Sequence, residues 1–142
     1  MGKGVDAHPP LHPDIVPMRP TSVISLILAL LFAAFTYFQF NDPDAVPWVI
    51  LYGAVAVVFG FAAADRHFLP VTAGLGVICL AWSLYHLPAI FEYASNSDGV
   101  GLSEGMSYAY PYIERSREFG GLFLAFLALL WLFFQQRKPV ED

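Results

Sequence analysis

The sequence predicts an all-α integral membrane protein, a bundle of four transmembrane helices with both termini in the cytoplasm. Of its 142 residues, 57% are hydrophobic and only 13% are charged, and the uncharged residues fall into four long runs. Soluble proteins carry about 25% charged residues. A water-soluble chain of this length cannot bury so much apolar surface, whereas a bilayer accommodates it.

Each of the four runs is long enough to cross the membrane as one helix. A helix rises about 1.5 Å per residue and the hydrocarbon core is about 30 Å thick, so about 20 residues suffice. The predicted membrane domain, residues 21–137, has spans at about 21–40, 46–64, 69–90 and 118–136. It is flanked by a proline-rich extended tail, residues 1–20, and a C-terminal tail, residues 138–142, and it contains an outer loop, residues 92–117.

The first span follows Pro20, and Thr21 or Ser22 is its predicted N-cap. The second span carries small residues at four-residue spacing, Ala56, Gly60 and Ala64. Small residues spaced in this way let helix backbones approach closely in a membrane. We therefore expect this stripe to face another helix.

A polar turn, Asn41-Asp42-Pro43-Asp44, separates the first span from the second. Asp42 before Pro43 has the form of an N-cap followed by proline at the first helical position, and Asp44 suits the positive end of the helix dipole. Asn41 can end the preceding helix in a left-handed conformation. These residues predict a tight hairpin on the outer side of the membrane.

The third span holds the lone cysteine, Cys79, and one histidine, His86. A single cysteine excludes a disulfide within one chain, and we expect Cys79 to be a packing residue. A haem would need a second axial ligand for His86, and the other histidines lie in the tail and loops. His8 and His12 are spaced like a metal-binding pair, but the prolines around them disfavour a helix. We therefore predict no cofactor or metal, and a hydrogen-bonded histidine at the outer interface.

The segment YIERSREFGGL lies at the mouth of the fourth span. If the helix begins near Tyr112, Glu114, Arg117 and Glu118 are spaced to share one side of it. In a four-span topology this segment lies at the same side of the membrane as Asp42 and Asp44. An ion pair from Arg117, or from its neighbour Arg115, to either aspartate would hold the first, second and fourth helices together.

Basic residues are concentrated on the side of the termini, which holds five of the seven: Lys3, Arg19, Arg66, Arg137 and Lys138. The positive-inside rule places this side in the cytoplasm. The predicted location is the cell membrane, the inner membrane of a bacterium. The net charge of −5 then falls on the outer loops. Such a surface attracts cations or basic proteins and excludes nucleic acid as a partner.

Two motifs resemble those of the transmembrane protein family 220, a family of small four-helix membrane proteins. The first is QFNDPDAVPWVILY and the second is ERSREFGGL. The resemblance covers roughly residues 22–136 and implies the four-helix topology and an interacting pair of motifs, but no reaction. The candidate binding or structural residues are Asn41, Asp42, Pro43, Asp44, Trp48, Tyr52, Glu114, Arg117, Glu118 and Gly121.

The spans lack the features of a transporter or an enzyme. They contain no Asp, Glu, Lys or Arg to carry protons or ions through the midplane, and the chain has no phosphate-binding loop or catalytic triad. The outer carboxylates could gather Ca²⁺, but their spacing matches no calcium loop.

We therefore expect a non-catalytic accessory or scaffolding subunit that sits in the lipid bilayer against a larger complex of the respiratory or photosynthetic type. Its helices and N-terminal tail would contact the other integral membrane subunits. The alternative is a small binding protein whose outer carboxylates and Arg117 recognise a cation, a lipid headgroup or a polar metabolite.

Overall fold

Four α-helices in sequence form the fold of the computed structural model, which describes residues 16–96 and 111–138. They are α1 (Pro20–Phe38), α2 (Ala45–Ala63), α3 (Leu69–Asn96) and α4 (Pro111–Gln136), and a 3₁₀ turn (Gln39–Asn41) follows α1. Each helix is long and apolar enough to cross a bilayer. The predicted all-α membrane fold is confirmed, and no strand occurs in the described ranges.

Parts of the predicted tails and loop lie outside the described residues. These are residues 1–15, which include His8 and His12, the loop residues 97–110, and residues 139–142.

Two helices extend beyond their predicted ends. α3 continues past residue 90 to Asn96, and α4 begins at Pro111 rather than near 118, so the predicted outer loop is shorter at both ends. The polar first turns of α4 pack against α3: the Ser116 hydroxyl donates to the Tyr112 carbonyl of its own helix at 2.7 Å and lies 3.2 Å from the Ala89 carbonyl oxygen of α3. The Tyr112 hydroxyl donates to the Asn96 carbonyl. Hydropathy alone did not detect this polar helical segment.

The predicted N-cap of α1 is wrong. Arg19 occupies the cap position without a side-chain hydrogen bond, and Pro20 is the first helical residue. The Ser22 hydroxyl is engaged elsewhere, since it donates to Asp65 Oδ1 at 3.2 Å.

The hairpin between α1 and α2 is present, but its predicted caps are wrong. α2 begins at Ala45, and Asp44 at the cap position makes no side-chain hydrogen bond. Asn41 is not left-handed, because Asp65 is the non-glycine residue with positive φ among those described. Two successive turns carry the chain instead: the Asp42 N–H donates to the Gln39 carbonyl at 3.0 Å, and the Ala45 N–H donates to the Asp42 carbonyl at 3.2 Å.

The bundle consists of two helical hairpins, since α1 packs along α2 and α3 packs along α4. Large buried side chains fill the space between them. Phe32 of α1 is fully buried and stacks on Tyr52 and Phe59 of α2, with ring centroids 6.2 and 6.0 Å apart. Cys79 is fully buried, as predicted. The outward faces of all four helices carry exposed apolar side chains, which suits contact with lipid.

The small-residue stripe predicted on α2 packs only in part: Ala56 is half-buried against the core, whereas the last two residues of the stripe do not face a helix. Gly60 and Ala64 are exposed, and a Cβ added at Gly60 would meet nothing within 4 Å. The helices approach instead at Gly53, whose added Cβ would lie 3.8 Å from Thr36 Cγ2. The buried face of α2 follows its large residues at intervals of three and four, and Gly60 does not lie on that face.

Asp65 ends α2 in a conformation that usually selects glycine, with φ at 57°. The Arg66 N–H donates to the Phe61 carbonyl and the Asp65 N–H donates to the Ala62 carbonyl, which is the Schellman pattern. Because the Asp65 carboxylate accepts from Ser22, this turn also ties the end of α2 to the start of α1.

Replacing Ser22 by Ala is expected to lower the free energy of unfolding by about 0.5–1.5 kcal/mol, since it removes the hydrogen bond to Asp65. Thermal unfolding of the purified protein in mild detergent measures the change. Thr21→Ala is the matched control, because Thr21 is exposed on the same turn. Equal unfolding temperatures for the two variants would contradict the assigned role of Ser22.

Candidate functional site

A polar cavity of about 350 Å³ lies at one end of the bundle. The 3₁₀ turn and the starts of α2 and α4 form this end, which is here called the distal end. Its lining residues are Phe38, Gln39, Asn41, Asp42, Trp48, Tyr52, Glu114, Arg117 and Glu118. Seven of the ten candidate residues are therefore brought together, although they come from two distant segments. Pro43 and Asp44 are exposed in the adjoining turn, and Gly121 lies next to Tyr52.

Helix periodicity explains how the two motifs face one another. Trp48 and Tyr52 are four residues apart on α2, and both are buried. Glu114, Arg117 and Glu118 are three and four residues apart on α4, so they share one face of that helix. An aromatic surface from α2 and a charged surface from α4 thus line the same cavity.

The Trp48 ring packs against three other rings. Its ring stacks on Trp82 of α3, with centroids 4.7 Å apart, and on Tyr52 at 6.1 Å. The His86 ring lies at 6.4 Å. This packing gives the aromatic part of the cavity a defined shape before any ligand binds.

Gly121 makes room for the side chain of Tyr52. A Cβ at Gly121 would overlap the Tyr52 hydroxyl and lie 3.4 Å from Cζ, whereas a Cβ at the neighbouring Gly120 would meet nothing within 4 Å. The tyrosine of the first motif therefore fits against the glycine of the second. This is the physical contact between the two motifs.

His86 is buried next to Glu118 and Trp48, two residues that line the cavity. Its Nδ1 lies 3.3 Å from Glu118 Oε2, and the residue is 8% exposed. The pair lies within ion-pair distance, but neither ring nitrogen has a well-aligned hydrogen bond to any part of the described chain. The expected hydrogen bond of His86 is therefore not formed among the described residues, and its place at the membrane interface stays a prediction. Sequence spacing gave no signal for this pair, because its members lie on different helices.

The distal cavity carries an excess of negative charge. Its lining includes the carboxylates of Asp42, Glu114 and Glu118 and one guanidinium, that of Arg117. Burial is the main factor that raises the pKa of Asp42 above its ordinary value, and repulsion from Asp44 and Glu114 adds to it. Asp42 Oδ1 is buried without a hydrogen-bond partner among residues 16–96 and 111–138.

The predicted ion pair between the fourth helix and the Asp42 turn is not formed. In the part of the chain that the structure describes, the ion pair within 4.0 Å is that of His86 and Glu118. Arg117 is exposed at the cavity and weakly opposes the rise in the pKa of Asp42. The described residues also contain no group of three or more His, Cys, Asp or Glu side chains placed to hold a metal ion.

Four apolar helices and a polar cavity between a turn and the fourth helix define a small multi-pass membrane protein. The chain belongs to the transmembrane family 220: the family's sequence profile, "Transmembrane family 220, helix", matches residues 31–134. That range includes both motifs and confirms the resemblance. No curated protein and no solved structure matches the chain.

Proposed function

We propose that the protein is a membrane-embedded binding protein, without catalytic turnover, that holds a small ligand with an ammonium group in the distal cavity. The observation that carries this proposal is the Asp42 carboxylate, which lines the cavity and has one oxygen buried without a hydrogen-bond partner. A buried acceptor left unpaired costs about 1–3 kcal/mol. A ligand N–H donor would satisfy it.

Charge favours a cationic ligand. Three carboxylates and one guanidinium line the cavity, so acidic groups outnumber basic groups by two. The first effect of a bound cation is to relieve the mutual repulsion of the carboxylates. The raised pKa of Asp42 is a sign of that repulsion and of burial.

The size and lining of the cavity favour an organic cation over a bare ion. Its volume, about 350 Å³, falls in the range of small-molecule sites, about 300–1,000 Å³. Trp48 and Tyr52 line the cavity beside the carboxylates, and Arg117 offers a donor to an anionic group on the same ligand. A small amine or zwitterion fits these features together.

Calorimetric titration of the purified full-length protein in non-ionic detergent tests this function. Ethanolamine and methylammonium, whose ammonium groups carry N–H donors, are the probes, and tetramethylammonium, which carries none, and sodium and calcium chloride are the controls. We expect saturable binding of at least one ammonium probe and about tenfold weaker binding by Glu118→Gln, since a charge-assisted contact is worth roughly 1.5–3 kcal/mol.

Glu92→Gln is the matched control for this titration, because Glu92 is an exposed carboxylate on α3 that does not line the cavity. Equal losses in the two variants would show only a general effect of surface charge. Binding of calcium alone, or of no ammonium probe, would also contradict the proposal.

A second candidate function is that of an accessory subunit in a larger membrane complex. The exposure of α1 favours this function. It is the least buried of the four helices, and its apolar side chains point outward along its length. Native mass spectrometry of the chain extracted from its own membranes tests it. A reproducible hetero-complex would support this function, and a lone chain or homo-oligomer would contradict it.

We further propose that the protein resides in the cell membrane, the inner membrane in a bacterium, with both termini in the cytoplasm. The support is the concentration of basic residues at the end of the bundle that carries Arg19 and Lys138. On this orientation the distal cavity opens to the outer side.

A further inference from the structure

A second cavity, of about 740 Å³, lies at the opposite end of the bundle, here called the proximal end. Residues from the start of α1, the turn between α2 and α3, and the end of α4 line it. We propose that the proximal cavity binds the phosphate group of an anionic phospholipid. This inference is independent of the distal cavity.

Cationic and neutral donors dominate the lining of the proximal cavity. Arg19 contributes a guanidinium from the start of α1 and Lys138 an ammonium from beyond the end of α4. The cavity's carboxylate, that of Asp65, accepts a hydrogen bond from Ser22. Arginine and lysine are the side chains that bind phosphate oxygens by charge-assisted hydrogen bonds.

The uncharged side chain of Gln136 gives a second reason to expect a ligand. It lines the cavity, and its Nε2 and Oε1 are both buried without a hydrogen-bond partner in the described ranges. An amide buried in this state is destabilising unless both atoms find partners. A phosphate oxygen would accept from Nε2, and a headgroup hydroxyl would donate to Oε1.

The location and size of the cavity favour a lipid over free phosphate. Arg19 precedes the first residue of α1 and Lys138 follows the last residue of α4, so the cavity lies at the level where apolar helices end. Headgroups of the bilayer lie at this level. Trp131 also lines the cavity, and tryptophan favours this interface. A volume of about 740 Å³ accommodates a whole headgroup rather than a phosphate ion alone.

Thermal unfolding of the full chain in non-ionic detergent, titrated with dihexanoylphosphatidylglycerol, tests the inference. Dihexanoylglycerol supplies the acyl chains without phosphate, and glycerol phosphate supplies the headgroup without acyl chains. We expect the phospholipid to stabilise the protein in a saturable way and neither control compound to do so. Equal stabilisation by dihexanoylglycerol would overturn the phosphate contact, and equal stabilisation by glycerol phosphate would overturn the assignment to a lipid.

Two variant pairs make the test specific. Arg19→Gln with Lys138→Gln is expected to weaken the response about 100-fold or more, since two charge-assisted contacts are lost. Arg66→Gln with Arg137→Gln removes the same charge from the same end; both of these residues are exposed and neither lines the cavity. An equal loss in this control pair would show non-specific attraction and overturn the proposal.

Gln136→Leu separates a binding role from a structural one. The variant is expected to weaken phospholipid binding while it leaves the unliganded protein as stable as the wild type or more so, because it removes an unpaired buried amide. Unchanged binding would overturn the contact with Gln136. Retention of the ethanolamine response by all of these variants would confirm that the distal cavity is intact.

Discussion

Replacing Gly121 by Ala is expected to lower the free energy of unfolding by about 1–3 kcal/mol, the usual cost of forcing extra atoms into a packed core. The added Cβ would overlap the Tyr52 hydroxyl. Tyr52 cannot move aside freely, because its ring is 3% exposed and is packed against Phe32, Phe35 and Trp48. Chemical or thermal unfolding in mild detergent measures the loss.

Two further variants identify the cause of this loss. Gly120→Ala is the matched control: its Cβ would meet nothing within 4 Å, so the higher helix propensity of Ala should stabilise it by up to about 1 kcal/mol. Tyr52→Phe removes the atom that the new Cβ would overlap, and should recover part of the stability lost in Gly121→Ala. Additive effects of the two substitutions would contradict the contact between the motifs.

The four membrane spans could be predicted from the sequence because the requirement for a long apolar segment does not depend on tertiary contacts. The start of α4 could not be predicted from hydropathy. Its polar first turns are held by contacts with α3, such as that of Ser116 with the Ala89 carbonyl. Hydropathy therefore placed the start of this helix near residue 118 rather than at Pro111.

The clustering of the two motifs at one end also followed from the sequence, since four antiparallel spans place the Asp42 turn and the start of α4 on the same side. The specific contacts between these segments could not be predicted from the sequence. The pairing of His86 with Glu118, and of Tyr52 with Gly121, depends on the rotation of each helix about its axis. The prediction for the stripe failed at Gly60 for the same reason: this residue lies on a part of α2 that meets no helix, although Ala56 packs against the core.

Replacing Asp42 by Asn is expected to stabilise the unliganded protein at neutral pH and to weaken ammonium binding by about tenfold or more. Burial and the neighbouring carboxylates raise the pKa of Asp42 in the folded state. The folded state therefore holds this proton more tightly than the unfolded state, so ionised Asp42 lowers stability above the raised pKa. Asn has a similar shape without the charge. A substitution that stabilises the fold while it removes binding marks a residue retained for its ligand.

The pH dependence of stability, compared between the wild type and the Asp42→Asn variant, tests this role of Asp42. As the pH falls through the raised pKa, the wild type should gain stability relative to Asp42→Asn, and the difference in unfolding temperature should shrink. Ammonium binding by the wild type should weaken over the same range, because protonation removes the attracting charge. Repulsion couples Asp42 to Glu114, so the difference reports on the coupled carboxylates rather than on Asp42 alone, and Glu92→Gln controls for the loss of one exposed charge. A less stable Asp42→Asn protein at neutral pH would show that the carboxylate supports the turn, and would contradict its role as the ligand contact.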